Sequence, residues 1–195
     1  CGLQQGRDEL DNRYLAFAPG NIDILLVTHA HIDHTGRIPL LVKNGFHGRI
    51  LTTRLTADLM KIMLLDSAHI QESDAEYENR KGERAGREHV DPLYTEQDAL
   101  DVFKYVTTCE YKEKVDPCEG VSAVFTDAGH LLGSASITLE LEENGVHKTI
   151  VFSGDIGNVD QPIIRDPQLL KKADYVVMES TYGDRVHDRP TDYVT

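Results

Sequence analysis

Short apolar runs closed by turn residues dominate the first fifty positions. Ile22 to Val27 is rich in Ile, Leu and Val and stops at Thr28-His29, the pattern of a buried strand that delivers its last residues to a loop. After a polar turn, Ile38-Pro39-Leu40-Leu41-Val42 reads as a short helix, because proline is tolerated in a first turn. Asn44-Gly45 ends it, and Gly48 to Thr53 reads as a second strand. From Thr56 to about Asn79 the spacing predicts the longest helix. Leu59, Ile62, Met63 and Ile70 fall near a 3.6-residue period, and Thr56 is placed to cap it. Asn79 to His89 is charged and aperiodic, with two glycines, and is expected to be an exposed loop.

Thr95-Glu96-Gln97-Asp98 opens a second helix through Val106, its acidic first turn suiting the helix dipole. The period then changes. Ala135, Ile137, Leu139 and Leu141 alternate with Ser134, Ser136, Thr138 and Glu140, Glu143-Asn144-Gly145 supplies turn chemistry, and Lys148 to Phe152 returns as the partner strand. Ala173 to Met178 predicts a final buried strand. Strands and helices mix without an internal repeat, so the class is α/β or α+β, built in layers.

Composition narrows the setting. The 195 residues suit one domain, and 40% hydrophobic with 27% charged residues is a globular balance. The longest apolar runs fall far short of the ~20 residues of a membrane span, and no leader pattern opens the chain, so no membrane partner is expected. Cys1, Cys109 and Cys118 are too few and too scattered for a disulfide framework, which favours a reducing cytoplasm. The chain opens without Met and closes just after a proline, so it is expected to be a piece of a longer protein. A net charge of −13 argues against a nucleic-acid partner, yet acidic residues also hold cations.

The chemistry concentrates at His29-Ala30-His31-Ile32-Asp33-His34. Histidine and carboxylate are ligands that Zn²⁺ takes. The two-residue step puts His29 and His31 on one side of an extended backbone, and Asp33 and His34 follow where the chain turns, which suits two adjacent metals better than one. A polar loop would explain one histidine there; it does not explain four ligand-type residues at the mouth of a buried strand. Two later segments fit the same site. Asp127-Ala128-Gly129-His130-Leu131-Leu132-Gly133-Ser134 sets a histidine in a tight turn, and Ser153-Gly154-Asp155-Ile156-Gly157 sets an aspartate just past an apolar strand.

Together, His-x-His-x-Asp-His, the histidine of Ala-Gly-His-x-Leu-Gly-Ser-Ala and the aspartate of Ser-Gly-Asp resemble the metallo-β-lactamase fold. Glu179-Ser180-Thr181-Tyr182-Gly183 resembles the branch of that fold that processes nucleic acids and carries an inserted β-CASP domain, the branch of ribonuclease J and the mRNA 3′-end endonuclease. Pro92-Leu93-Tyr94-Thr95 and Asp66-Ser67-Ala68-His69-Ile70 resemble segments of bacterial RNA-metabolising hydrolases. The resemblance implies a four-layer αββα sandwich, partial here, with mixed sheets and an antiparallel hairpin. It implies that residues 1–182 are the N-terminal portion of that domain, its first strands missing, and that 183–195 begin the β-CASP domain.

By the same resemblance His29, His31 and His130 match the ligands of a first zinc, Asp33 and His34 those of a second, and Asp155 the carboxylate bridging both. Asp33 would also orient a metal-bridged hydroxide that attacks an RNA phosphodiester, and Glu179 would orient ligands from outside the metal sphere. Two Zn²⁺ are expected in the parent protein and one or none in this piece, which lacks the last histidine ligand and is expected to be inactive and to self-associate through an uncovered edge. Competing readings are a thioester or lactam hydrolase of the same fold, a diiron redox protein, which would carry Glu in place of His31, and a non-catalytic assembly domain, which would have degraded ligands. His69 suits a packed or surface position in the long helix, and His47, His89, His147 and His187 suggest no role.

Overall fold

The computed structural model describes residues 1–4, 12–83, 86–170, 172–181 and 183–184. The apolar runs near the start become strands β1 (Ile24–Leu26) and β2 (Arg49–Thr53), and with β3 (Val106–Cys109), which the sequence reading did not foresee, they form a parallel sheet in that order. Parallel neighbours need crossovers. α1 (Ile32–Thr35) and α2 (Ile38–Lys43) lie between β1 and β2, and α3 (Arg54–Glu83) and α4 (Glu96–Asp101) between β2 and β3. Helices and sheet meet in a core of Ile38, Leu41, Phe46, Ile50, Met60, Leu64, Tyr94 and Val102, all essentially inaccessible.

A second, five-stranded sheet follows: β4 (Lys114–Cys118), β5 (Val121–Asp127), β6 (Ala135–Glu143), β7 (Val146–Phe152) and β8 (Tyr175–Val177). Its strands are antiparallel except for the parallel β7–β8 pair. The β6–β7 hairpin turns on Asn144 and Gly145, both at positive φ, as a two-residue hairpin requires. Phe125, Ala123 and Ile137 face Leu51 and Cys109 across the gap between the sheets, forming a second core. The layers are therefore helix, sheet, sheet, and a second helical layer is absent among the described residues. Within them no helix is long and apolar enough to cross a membrane.

Several boundaries differ from the sequence reading. α3 begins at Arg54, not Thr56, and its first turn is closed by Thr53, whose hydroxyl accepts from the Thr56 amide at 3.3 Å. Its inward face is Ala57, Met60, Leu64, Ala68 and Ala75, with Leu59 and Met63 at the margin, while Ile62 and Ile70 are exposed. The helix runs on to Glu83 through half of the expected loop, and Asn79 within it pairs its side-chain amide with both backbone groups of Val90, beyond the helix end. α4 has the expected acidic opening, with Thr95 and Asp98 forming a reciprocal capping box, but it ends at Asp101, and Val106 starts β3. β8 is exposed rather than buried, each of Tyr175, Val176 and Val177 being more than half accessible. Residues 185–195, which the sequence reading assigns to a following domain, lie outside the described residues.

Candidate metal centre

The site forms where β1, the β5–β6 loop and the end of β7 meet. β1 stops pairing at Leu26, but its continuation is pinned to both sheets. Val27 donates to Leu51 O, Val27 O accepts from the Thr52 hydroxyl, and Thr28 O accepts from the Ala135 amide at the start of β6. His29 is thus fixed at the seam of the sandwich, 1% exposed. The chain then turns into α1, whose Thr35 hydroxyl bonds back to the carbonyls of Ala30 and His31.

The β5–β6 loop is tied more tightly. Ser134 Oγ accepts from the amides of both His130 and Leu131, and Asp127 Oδ1 accepts from Gly129 N. Tyr111 donates its hydroxyl to Ser134 O. The hydroxyls of Thr53 and Thr56 both donate to Gly133 O, at 2.6 and 2.8 Å. Gly133 sits at φ +85, and a Cβ there would lie 2.4 Å from Thr56 N, so only glycine lets the loop lie against α3. On the other side, Gly157 packs so closely on Gly129 that a Cβ would meet its carbonyl at 1.6 Å. Thr53, Tyr111, Asp127 and Ser134 are supports that sequence reasoning missed, and Thr56 was read there only as the cap of the long helix, a place that Thr53 holds.

These constraints bring His29, His31, His130 and Asp155 together, one ligand atom from each lying within 4.8 Å of the others. Asp155 Oδ2 is 3.5 Å from Nε2 of His29 and of His130, and His130 Nε2 is 3.2 Å from His31 Nδ1. Four ligands at ~2.0–2.1 Å around a tetrahedral ion are separated by ~3.3 Å, and the three spacings just given, 3.2–3.5 Å, fall near that value. Inside the cluster, His29 Nε2 and Asp155 Oδ1 are buried without a hydrogen bond. Buried polar atoms without a hydrogen bond are costly, and a cation is a partner this donor set fits.

His34 joins the cluster from α1. Its Nε2 is 3.1 Å from Asp155 Oδ1, and its ring centroid is 4.1 Å from that of His29. Asp33 lies at the margin, its side chain 63% exposed and 3.7 Å from His34. Glu179 is exposed and bonded by the Thr181 hydroxyl, within electrostatic reach of His130. His69 is on the surface of α3, beside Glu96.

The electrostatics favour neutral imidazoles with free lone pairs. Burial, then the neighbouring His34, His31 and His130, pull the pKa of His29 down to about 2. Burial also lowers that of His130, against the opposing pull of Asp155. Thr28 Oγ1, 3.1 Å from His29 Nδ1, engages that nitrogen and leaves Nε2 facing the cluster.

Comparison with known proteins agrees with this geometry. The sequence profile of the metallo-beta-lactamase superfamily matches residues 1–193. Ribonuclease TTHA0252 of Thermus thermophilus is 35% identical over 188 residues, covering 96% of this chain and 38% of the relative. Transcription termination factor FttA of Pyrococcus abyssi is 35% identical over 167 residues, 84% of this chain and 23% of the relative. Endoribonuclease YSH1 of Gibberella zeae is 29% identical over 177 residues, 89% of this chain and 19% of the relative. The chain thus spans well under half the length of these relatives, and along nearly all of its own length it belongs to the metallo-β-lactamase superfamily.

Proposed function

We propose that this chain carries the metal-binding part of a two-zinc hydrolase of the β-CASP branch that cleaves RNA phosphodiester bonds. The observation that carries the reading is the convergence of three histidines and a carboxylate, one ligand atom of each within 4.8 Å of the others, with two of their buried polar atoms lacking a hydrogen bond. His29, His31, His130 and Asp155 would hold one Zn²⁺. Asp155, His34 and Asp33 would contribute to a second, and Asp155 faces both sets through its two oxygens. When bound, paired divalent ions supply a water acidic enough to ionise near neutral pH and neutralise charge on the reacting phosphate.

The chain's own residues do the rest. His29 stays unprotonated, so its Nε2 is available as a donor. Asp33 is exposed beside His34, where its carboxylate would orient the attacking water. Glu179 would act as a positioning residue on the His130 side. The RNA substrate is supported by the relatives named as ribonuclease and endoribonuclease and by the Glu179–Gly183 segment.

The test uses the full-length protein that contains this chain, incubated with labelled RNAs with and without a chelator, alongside lactam and thioester substrates. Chelator-sensitive RNA cleavage with about two zinc ions per chain is the expected result. Hydrolysis of the small substrates with no RNA cleavage would overturn it.

A further inference from the structure

The edge that carries the metal ligands also carries a cavity of about 370 Å³, lined by Arg54, Tyr111, Leu132, Ile163 and Arg165. Because β1, β2 and β3 are parallel and adjacent, their C-terminal ends open on the same edge. His29 follows β1, Arg54 follows β2 and Tyr111 follows β3. Neighbouring strands are ~4.8 Å apart, so the cavity lies about 5–10 Å along the edge from the strand that delivers His29. The β5–β6 loop divides the two: its His130 faces the metal cluster and its Leu131, Leu132 and Gly133 wall the cavity.

The charges there are unusual for this chain. Arg13, Arg37 and Arg49 donate to backbone carbonyls, and Arg80 and Arg87 pair with glutamates. Among the described residues Arg54 and Arg165 are the arginines with neither a hydrogen bond nor an ion pair, and both line this cavity. In a chain of net charge −13 with abundant carboxylates, two exposed guanidiniums at one cavity without a hydrogen bond or ion pair, Arg165 within electrostatic reach of Tyr111, point to an anionic visitor. The lining is not simply cationic. Asp127 is buried and accepts from Gly129 N, whereas Glu110 is exposed and offers an acceptor. Leu132 and Ile163, 45% and 92% exposed, add apolar surface at the rim. Guanidiniums for a phosphate, apolar surface for a base and a carboxylate for an exocyclic amine are together the chemistry of a nucleotide.

We infer that this cavity is a subsite for a nucleotide flanking the bond to be cut, with Arg54 and Arg165 on its phosphate and Leu132 and Ile163 against its base. The inference rests on the RNA reading above. It assigns to the metallo-β-lactamase part of the protein a share of substrate binding that its acidic composition does not suggest.

The test compares full-length wild type with the double variant R54Q/R165Q on single-stranded RNA and on bis(p-nitrophenyl) phosphate, a diester too short to span the metal cluster and the cavity. The ratio of kcat/KM for RNA to that for the small diester is expected to fall at least tenfold. The salt dependence of RNA binding should weaken by about 1.4 in log–log slope, ~0.7 for each lost single-strand phosphate contact. K61Q/K81Q removes the same charge from exposed positions further along α3 and serves as the control for net charge. A ratio within about twofold of wild type in R54Q/R165Q, with RNA still cleaved, overturns the subsite alone, as does an equal fall in the K61Q/K81Q control. A wild type that hydrolyses the small diester but neither binds nor cleaves RNA overturns the RNA reading, and the subsite with it.

Discussion

Asp155 is the residue on which the centre turns, because one carboxylate reaches three imidazoles: Oδ2 lies 3.5 Å from His29 and His130, and Oδ1 lies 3.1 Å from His34. Replacing it by Asn keeps the shape and removes the negative charge that cations would share. Metal analysis of D155N by mass spectrometry is expected to show loss at both positions; full retention of metal would remove Asp155 from the centre. His29 supplies the complementary test, on the metal-free protein. Its folded pKa of about 2 lies below the ordinary value of 6.5, so below pH 6.5 the unfolded chain binds a proton that the folded chain refuses. Stability is therefore complete above that pH and falls as pH drops toward 2, by up to ~1.4 kcal/mol per unit from this one group. Urea melts of the apo-protein at pH 7.5 and 5.5 measure the slope, and H29Q should flatten it. An unchanged slope in H29Q would show that another group titrates. These residues were legible in the sequence because three histidines and an aspartate within six positions constrain their own geometry. His130 and Asp155 were legible because glycine flanks each of them at the end of a strand.

At the scale of elements, the centre depends on a clamp between α3 and the β5–β6 loop. Thr53 has two jobs, capping the helix through the Thr56 amide and donating to Gly133 O. Thr53→Val would remove both and leave a buried carbonyl with one donor fewer, which costs about 1–3 kcal/mol. Thr53→Ser should recover most of that, and chemical denaturation of the three proteins checks the order. Equal stability of T53V and wild type would mean that Thr56 holds the loop alone. The clamp was hidden from the sequence because its partners are some 80 positions apart and threonines in a row look like strand. The helix face was misread for a related reason: Ala57, Ala68 and Ala75 bury completely or nearly so but carry a weak apolar signal, while the stronger signals Ile62 and Ile70 point to solvent. β4 escaped notice because Lys114, Asp116 and Pro117 give it the composition of an edge, the position it holds. β8 was read as buried from its apolar run, yet whether an apolar strand is covered is decided by what packs on it, and its own residues do not record that.

Across the described residues, the two sheets meet through a small core and through the cluster of His29, His31, His130 and Asp155. Leu51 and Cys109 touch Phe125 and Ile137 between the sheets, whereas the larger cluster of buried side chains joins the first sheet to its helices. At the other edge, β8 presents Tyr175, Val176, Val177 and Met178, each 54–66% exposed, with one side of the strand unpaired among the described residues. Such an edge is a template for pairing with another chain. Sedimentation of this chain should show concentration-dependent association that Val176→Lys reduces, and a monomer at all concentrations would count against it. The cluster's four ligands are divided between the sheets: His29 and His31 follow β1, while His130 and Asp155 follow β5 and β7. A bound ion would therefore staple one sheet to the other where the hydrophobic contact is thinnest. A ligand at 100 times its Kd stabilises the fold that binds it by ~2.7 kcal/mol, and for 150–250 residues each kcal/mol moves Tm by ~2–4 °C. Titrating Zn²⁺ into the chelator-treated protein should raise Tm by about 5–10 °C. The gain should vanish in H130A/D155N, which removes both ligands on the far sheet, and should survive in R54Q/R165Q, which leaves all four ligands in place. A gain of the same size in H130A/D155N would mean that the ion binds within the His29–His34 segment alone and does not join the sheets.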